Sequence, residues 1–234
     1  LKLEGKDPFI LDRSEAYIGV LIDDLVTKGT DEPYRMMTSR AEYRLLLRQG
    51  NADLRLTPRA REIGLISDER WKKFLSRKNA IEAEVQRLEE TKVYPNAETN
   101  RILEELGSAA LKDVATLADV LRRPEMDYET LKALDPDREP LPSDVIYEVE
   151  TEVKYKGYIS RALSEVAEFK KIESVLLDAD LDYSKVKGLS SEAIEKLSAI
   201  RPRSVGQASR ISGVSPADIT ALLIYLKGRS SHVE

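Results

Sequence analysis

Seven arginines fall within residues 35–61: Arg35, Arg40, Arg44, Arg48, Arg55, Arg59 and Arg61. Arg40, Arg44 and Arg48 are spaced i, i+4 and i+8, so a helix starting at Ser39 would line them along one face. A guanidinium group grips phosphate through two parallel N–H donors and also stacks on bases, a combination that lysine does not offer. Tyr34 and Tyr43 lie among these arginines, the aromatic interleaving that suits unstacked RNA bases. The pattern predicts an RNA-facing surface. A competing reading pairs the same arginines with Glu42, Asp53 or acids outside this chain.

Two other constellations carry chemistry of a different kind. Tyr155, Gly157, Tyr158 and Arg161 combine aromatic surface, a small residue and a cation, which suits a groove for another helix or subunit; ordinary core packing is the alternative. Residues 201–219 outline a short helix, a turn at Gly213 and a capped helix after Ser215, as in a helix-turn-helix. Yet Ala217, Ile219, Ala221, Leu222 and Leu223 leave that second helix almost nothing with which to read base edges. Protein docking is therefore expected there in preference to DNA recognition. Nucleophilic and metal chemistry have no support. The chain has no cysteine, its one histidine is His232 near the end, and no Gly-rich phosphate loop of either common pattern occurs. Catalysis by this chain alone is not expected.

The elements that must position these groups are helices. Hydrophobic residues make up 41% and charged residues 34%, a balance that suits long amphipathic helices with charged outer faces. No run of 18 apolar residues exists, so no membrane span is expected, and the lack of cysteine fits a cytoplasmic setting. The net charge of −5 is unevenly distributed. Residues 27–61 and 185–234 each hold eight Lys/Arg against four Asp/Glu, whereas residues 62–184 hold 18 against 28. An acidic chain can thus still present two basic regions to an anionic partner.

Residues 13–28 place Ile18, Leu21, Ile22 and Leu25 on one helical face, with Gly29 as the stop. So apolar a face predicts packing against something large, and partial exposure of Ile18, Leu21 and Leu25 in its absence. A second helix is expected from Ser39, with Ser39 and Glu42 as a capping box, and a third from Thr57 with Pro58 in its first turn. Residues 52–56 between them read as a short strand. Trp71, Phe74, Leu75, Ile81, Val85 and Leu88 mark a helix over residues 68–91, and short helices are expected near 97–106, 111–122 and 127–134. Pro136, Pro140 and Pro142 then interrupt the chain. The longest helix should span residues 144–177, followed by three compact helices starting at Ser190 or Ser191, at Ser204 (with Gln207) and at Ser215. The expectation is an all-α fold with one long helix and a small terminal bundle, divided at residues 1–65, 66–143 and 144–234. The chain opens inside an apolar pattern without an initiator Met, which points to a piece of a longer protein.

Three blocks carry a family resemblance. The segment from Glu32 to Gln49 with Ala52–Thr57, the segment Lys154–Arg161, and residues 189–226 resemble successive blocks of the MnmG (GidA) family, in order and spacing. Residues 92–143 are the least distinctive part. Met37 departs from the family's usual Phe, and Ala162 and Leu163 follow Arg161 where Gln is common. The resemblance implies the C-terminal portion of a flavoprotein that modifies carbon 5 of the wobble uridine of tRNA. Such a protein works with the GTPase MnmE and uses FAD, NADH and a methylene-tetrahydrofolate carbon donor. It implies a homodimer of the whole protein, with flavin fold and catalytic cysteine outside this chain. Arg35, Arg40, Arg44 and Arg48 match the family block and are the implied tRNA contacts; Arg55 and Arg59 join them, and Arg59 and Arg61 rest on charge alone. The C-terminal helices are implied to dock MnmE, with Tyr158, Arg161, Arg203, Gln207, Arg210 and Leu223 as the candidates. The alternative from another class is a stand-alone helix-turn-helix-like DNA-binding or scaffold protein.

Overall fold

The computed structural model describes residues 1–230. Among them the fold is all-α apart from a two-stranded ladder: α1 Tyr17–Thr27, α2 Ala52–Glu62, α3 Asp68–Glu90, α4 Ala97–Glu105, α5 Leu117–Leu121, α6 Ser143–Glu173, α7 Ser191–Ile200, α8 Val205–Ser209 and α9 Pro216–Ser230. Strands β1 (Lys92–Val93) and β2 (Ala115–Thr116) pair antiparallel, Lys92 opposite Thr116. Packing sorts the chain into two compact units. The first comprises Leu1–Phe9 and Leu45–Ser160; the second comprises Ile10–Arg44 and the described residues from Arg161 onward. The expected boundaries at 65 and 143, and the proline run before the latter, fall inside the first unit.

In the first unit, α3 starts where Ser67 Oγ accepts the Arg70 N–H, with Asp68 and Glu69 in the first turn favouring the positive helix end. Its inner stripe of Ile81 and Leu88 packs with Leu103, Leu117, Leu121, Leu131 and Val149 into one core. Burying each such side chain stabilises the fold by about 1.5–3 kcal/mol. Trp71 stacks on Phe74 with ring centroids 5.1 Å apart, and the Arg61 guanidinium lies 6.0 Å from the tryptophan ring.

In the second unit, α7, α8 and α9 enclose a core of Ala193, Leu197, Val205, Ala208, Ile219 and Leu222, with Tyr183 beneath. Ser190 Oγ accepts the Ala193 N–H and Ser204 Oγ accepts the Gln207 N–H, so these starts lie where the serines indicate. Gln207 departs from a capping box: its Oε1 accepts the N–H of Arg203 rather than that of Ser204. Asp218 serves two helices at once. Its carboxylate accepts the backbone N–H of Ser190 at 2.7 Å, and the N–H and hydroxyl of Ser215 at 2.8 and 2.5 Å.

Several expectations are corrected. No helix starts at Ser39: Thr38–Arg40 is a single 3-10 turn followed by further turns, because the Glu42 side chain is drawn to Arg13 and caps nothing. Residues 52–56 are the first half of α2, not a strand, and Pro58 lies inside that helix rather than at its start. Residues 111–122 are helical only at Leu117–Leu121, set by a Thr116–Asp119 capping box, and residues 127–134 hold only a 3-10 turn, Thr130–Ala133. Finally, α1 begins at Tyr17, since Ser14 donates its N–H and hydroxyl to Asp12 and holds residues 12–15 in a turn. The partial exposure expected of Ile18, Leu21 and Leu25 is observed. Gly19, Val20, Asp24 and Thr27 are buried, while Ile18, Ile22, Leu25 and Val26 are exposed and Leu21 is half-buried.

Candidate nucleic-acid interface

The basic residues divide by what surrounds them. Arg35, Arg40 and Arg44 are exposed side chains of the second unit, on the irregular segment after α1. Among the described residues no carboxylate pairs with any of the three. Arg40 lies over the ring of Tyr34, its guanidinium carbon 4.5 Å from the centroid. Arg48, Arg55 and Arg59 belong to the first unit and are engaged there. Arg48 binds the fully buried Glu148, reaches Glu152 at 3.1 Å and donates to the Leu45 carbonyl at 2.8 Å. Arg55 donates to Asn51 Oδ1 and to the Arg48 carbonyl. Arg59 pairs with Glu62 at 3.5 Å and lies over the Phe9 ring. The single helical face expected for Arg40, Arg44 and Arg48 does not form, because no helix spans those residues.

What holds the irregular segment is a cluster that the sequence reading missed. Arg13 is only 3% exposed. It forks onto Glu42 (Nη2 at 2.6 Å, Nε at 3.3 Å) and reaches Asp24 at 2.7 Å and Asp23 at 3.0 Å. Asp24 accepts from Lys28 on the same oxygen as from Arg13, and from the Tyr34 hydroxyl at 2.6 Å on the other. Burial alone would push the Asp24 carboxyl up; hydrogen bonds from Tyr34, Arg13 and Lys28 outweigh it and hold it down at about 2. Burial likewise works against the Arg13 charge, and Glu42 and Asp24 more than restore it. Tyr34 is pushed above the usual phenol range, first by burial and then by donating to the Asp24 carboxylate. One sequence signal pointed here. Adjacent Asp23 and Asp24 inside an otherwise apolar helix need a counter-charge if that side is buried.

The candidate partner residues also separate. Tyr158 is 65% exposed, its ring tilted against that of Tyr155 at 6.4 Å; Arg161 and Arg203 are exposed too. Arg210 is engaged within the second unit. It grips Asp23 with two donors at 2.5 and 2.7 Å, reaches Glu173 at 2.8 Å and lies over the Phe169 ring. Glu173 in turn accepts from the Ser204 hydroxyl, so Arg210 and Gln207 both serve the start of α8. Leu223 packs at the edge of the bundle core. In the helix-turn-helix reading, α9 would present its start to a groove, but Asp218 there is buried and engaged in capping, and Ile219 and Leu222 face the core. His232 lies outside the described residues. Among the described residues no three His, Asp or Glu side chains gather to hold a metal, and no helix is long and apolar enough to cross a membrane.

These features define an all-α region in which three exposed arginines without a carboxylate partner among the described residues are collected on one anchored segment. The comparisons give it a family. Residues 68–163 match the family model described as the tRNA modifying enzyme MnmG/GidA C-terminal helical domain, and residues 165–234 match that of the MnmG/GidA C-terminal helical bundle. The chain is 57% identical to the tRNA uridine 5-carboxymethylaminomethyl modification enzyme MnmG of Finegoldia magna, over 98% of this chain and 36% of that protein. It is 54% identical to the corresponding enzyme of Geobacillus kaustophilus, over 98% of this chain and 37% of that one. The crystal structure of Aquifex aeolicus GidA superposes with a TM-score of 0.78 at 40% identity, covering 96% of this chain and 35% of that one. The chain belongs to the MnmG/GidA family and corresponds to its C-terminal helical region. It spans about a third of the length of the curated relatives it matches.

Proposed function

We propose that this chain is the tRNA- and partner-binding region of a cytoplasmic flavoenzyme that modifies carbon 5 of the wobble uridine of tRNA. Arg35, Arg40 and Arg44 contact tRNA phosphate, and the helical bundle of the second unit docks the GTPase MnmE. The observation that carries the first part is three exposed arginines on one anchored segment with no carboxylate partner among the described residues. A phosphate needs such donors unpaired, because breaking an existing ion pair would offset the gain. For the second part, Arg203, exposed beside the start of α8, offers a cation, and Leu223 borders the apolar core. FAD and NADH belong to the rest of the whole protein. The described strands are two residues long and none leads through a Gly-rich loop into a helix, so the residues here do not fit a dinucleotide.

The test is tRNA binding by the intact protein across salt concentrations. Losing two phosphate contacts in Arg40→Ala/Arg44→Ala should flatten the slope of log K against log salt by about 1.4–1.8. An unchanged slope removes these arginines from the tRNA surface. Deleting residues 190–234 should abolish capture of MnmE while circular dichroism still reports the first unit folded. Retained capture overturns the docking assignment.

A further inference from the structure

We infer that Arg13 is the positioning residue of the basic segment: it touches no nucleic acid, yet it fixes where Arg35, Arg40 and Arg44 stand. The inference rests on reading that segment as tRNA-binding.

Residues 30–44 have neither helix nor strand to fix them; their one regular feature is the 3-10 turn at Thr38–Arg40. A segment of that kind loses its shape unless side chains tie it down. Two polar ties are present, one on each side of the turn. Before it, Tyr34 donates its hydroxyl to Asp24. After it, Glu42 receives both arms of the Arg13 fork. The two ties meet in one place, because Arg13 also holds Asp24 at 2.7 Å. A third contact, apolar, sets the Tyr43 ring edge-on to Phe169 at 6.4 Å. Arg40 lies between the polar ties and stacks on Tyr34, so its direction follows from the ring that Asp24 holds. Arg35 adjoins one tie and Arg44 the other.

Arg13 is suited to this work and unsuited to direct binding. Its guanidinium is buried, with Nη1 shared among Asp23, Asp24 and the Val20 carbonyl while Nη2 and Nε meet Glu42. At 3% exposure it is shielded from a phosphate in solution. Lysine keeps the charge but has no planar fork, and cannot hold Asp24 and Glu42 in this geometry together. Fixing the binding groups beforehand strengthens association by reducing the ordering that binding must impose.

The test uses the intact protein with Arg13→Lys, read by hydrogen exchange and by tRNA binding across salt. Exchange at residues 34–44 should speed up about tenfold, as expected for losing about one charge-assisted hydrogen bond, with α7 and α9 unchanged. The tRNA Kd should rise by about tenfold with the salt slope unaltered, since the number of phosphates contacted stays the same. In an Arg40→Ala/Arg44→Ala background the penalty of Arg13→Lys should shrink to the part that acts through Arg35. Unchanged exchange at residues 34–44, or a penalty fully additive with the double substitution, overturns the inference. If the double substitution itself leaves tRNA binding intact, the tRNA reading fails, and the exchange data still decide whether Arg13 positions the segment. Should Arg13→Lys not fold, Glu42→Gln, whose side chain is half exposed, releases the segment's end of the clamp alone and must show the same faster exchange.

Discussion

Asp218→Asn should weaken the C-terminal bundle by about 2 kcal/mol and by less in acid. The carboxylate holds the backbone N–H groups of Ser190 and Ser215, the residues that begin α7 and α9. Losing the cap of one helix start costs about 1 kcal/mol, so two starts give about 2 kcal/mol. The acidity of the group gives a similar figure. Hydrogen bonds from Ser215 and the Ser190 backbone outweigh burial and bring Asp218 from 3.8 to about 2. That fall corresponds to about 2.5 kcal/mol before any allowance for solvent screening. Asparagine keeps one carbonyl oxygen but turns an NH2 group toward the N–H and hydroxyl of Ser215, which cannot both be satisfied. A carboxyl held below its unfolded value stabilises above that value and loses its contribution as pH falls through the folded one. The difference between wild type and variant should therefore be full near pH 7, narrow below about pH 4, and be about halved by pH 3. Far-UV circular dichroism melts over that range measure it, with an expected fall of about 4–8 °C near neutrality. Equal melting temperatures at pH 7, or an undiminished difference at pH 3, would refute the double-cap argument.

Three other substitutions test particular contacts. Gly19→Ala would place a Cβ 2.6 Å from the Leu11 carbonyl oxygen and closer still to the Asp12 carbonyl. Backbone cannot yield as a side chain does, so a loss above about 3 kcal/mol is expected in thermal melts. Gly157→Ala, which meets nothing within 4 Å on α6, is the matching control and should stabilise by about 0.5–1 kcal/mol. Arg48→Met leaves the buried Glu148 with no cation. Burial already raises that carboxyl against the opposing pull of Arg48, so its ionisation destabilises the fold as pH climbs above the ordinary 4.5. Removing Arg48 should cost about 3–5 kcal/mol at pH 7 and less at pH 5, measured by urea unfolding at both; an equal cost at both refutes it.

Much of the helical order was legible because its signals are local. Ser190 and Ser204 mark helix starts by bonds made within three residues, and the Ile81, Leu88 period needs no partner to be recognised. Where the reading failed, the deciding contact came from far along the chain. Glu42 looked like half of a capping box with Ser39, but it faces an arginine 29 residues away. Arg48 looked like part of one helical face with Arg40 and Arg44, but no helix spans them and its acid partner is 100 residues on. On α1 the buried side also holds Asp24 and Gly19, buried through Arg13 and the residue 11–12 backbone, neither of which hydrophobic periodicity registers. The basic segment was therefore found by composition, while its shape was not.

The Trp71–Phe74 stack sets what light can report. Trp71 is the only tryptophan in the chain and sits wholly in the first unit. Its emission follows the α3 core and is silent about the Arg13 cluster, the basic segment and the α7–α9 bundle. A transition seen by circular dichroism without a matching change in tryptophan emission is the optical signature of the second unit letting go alone.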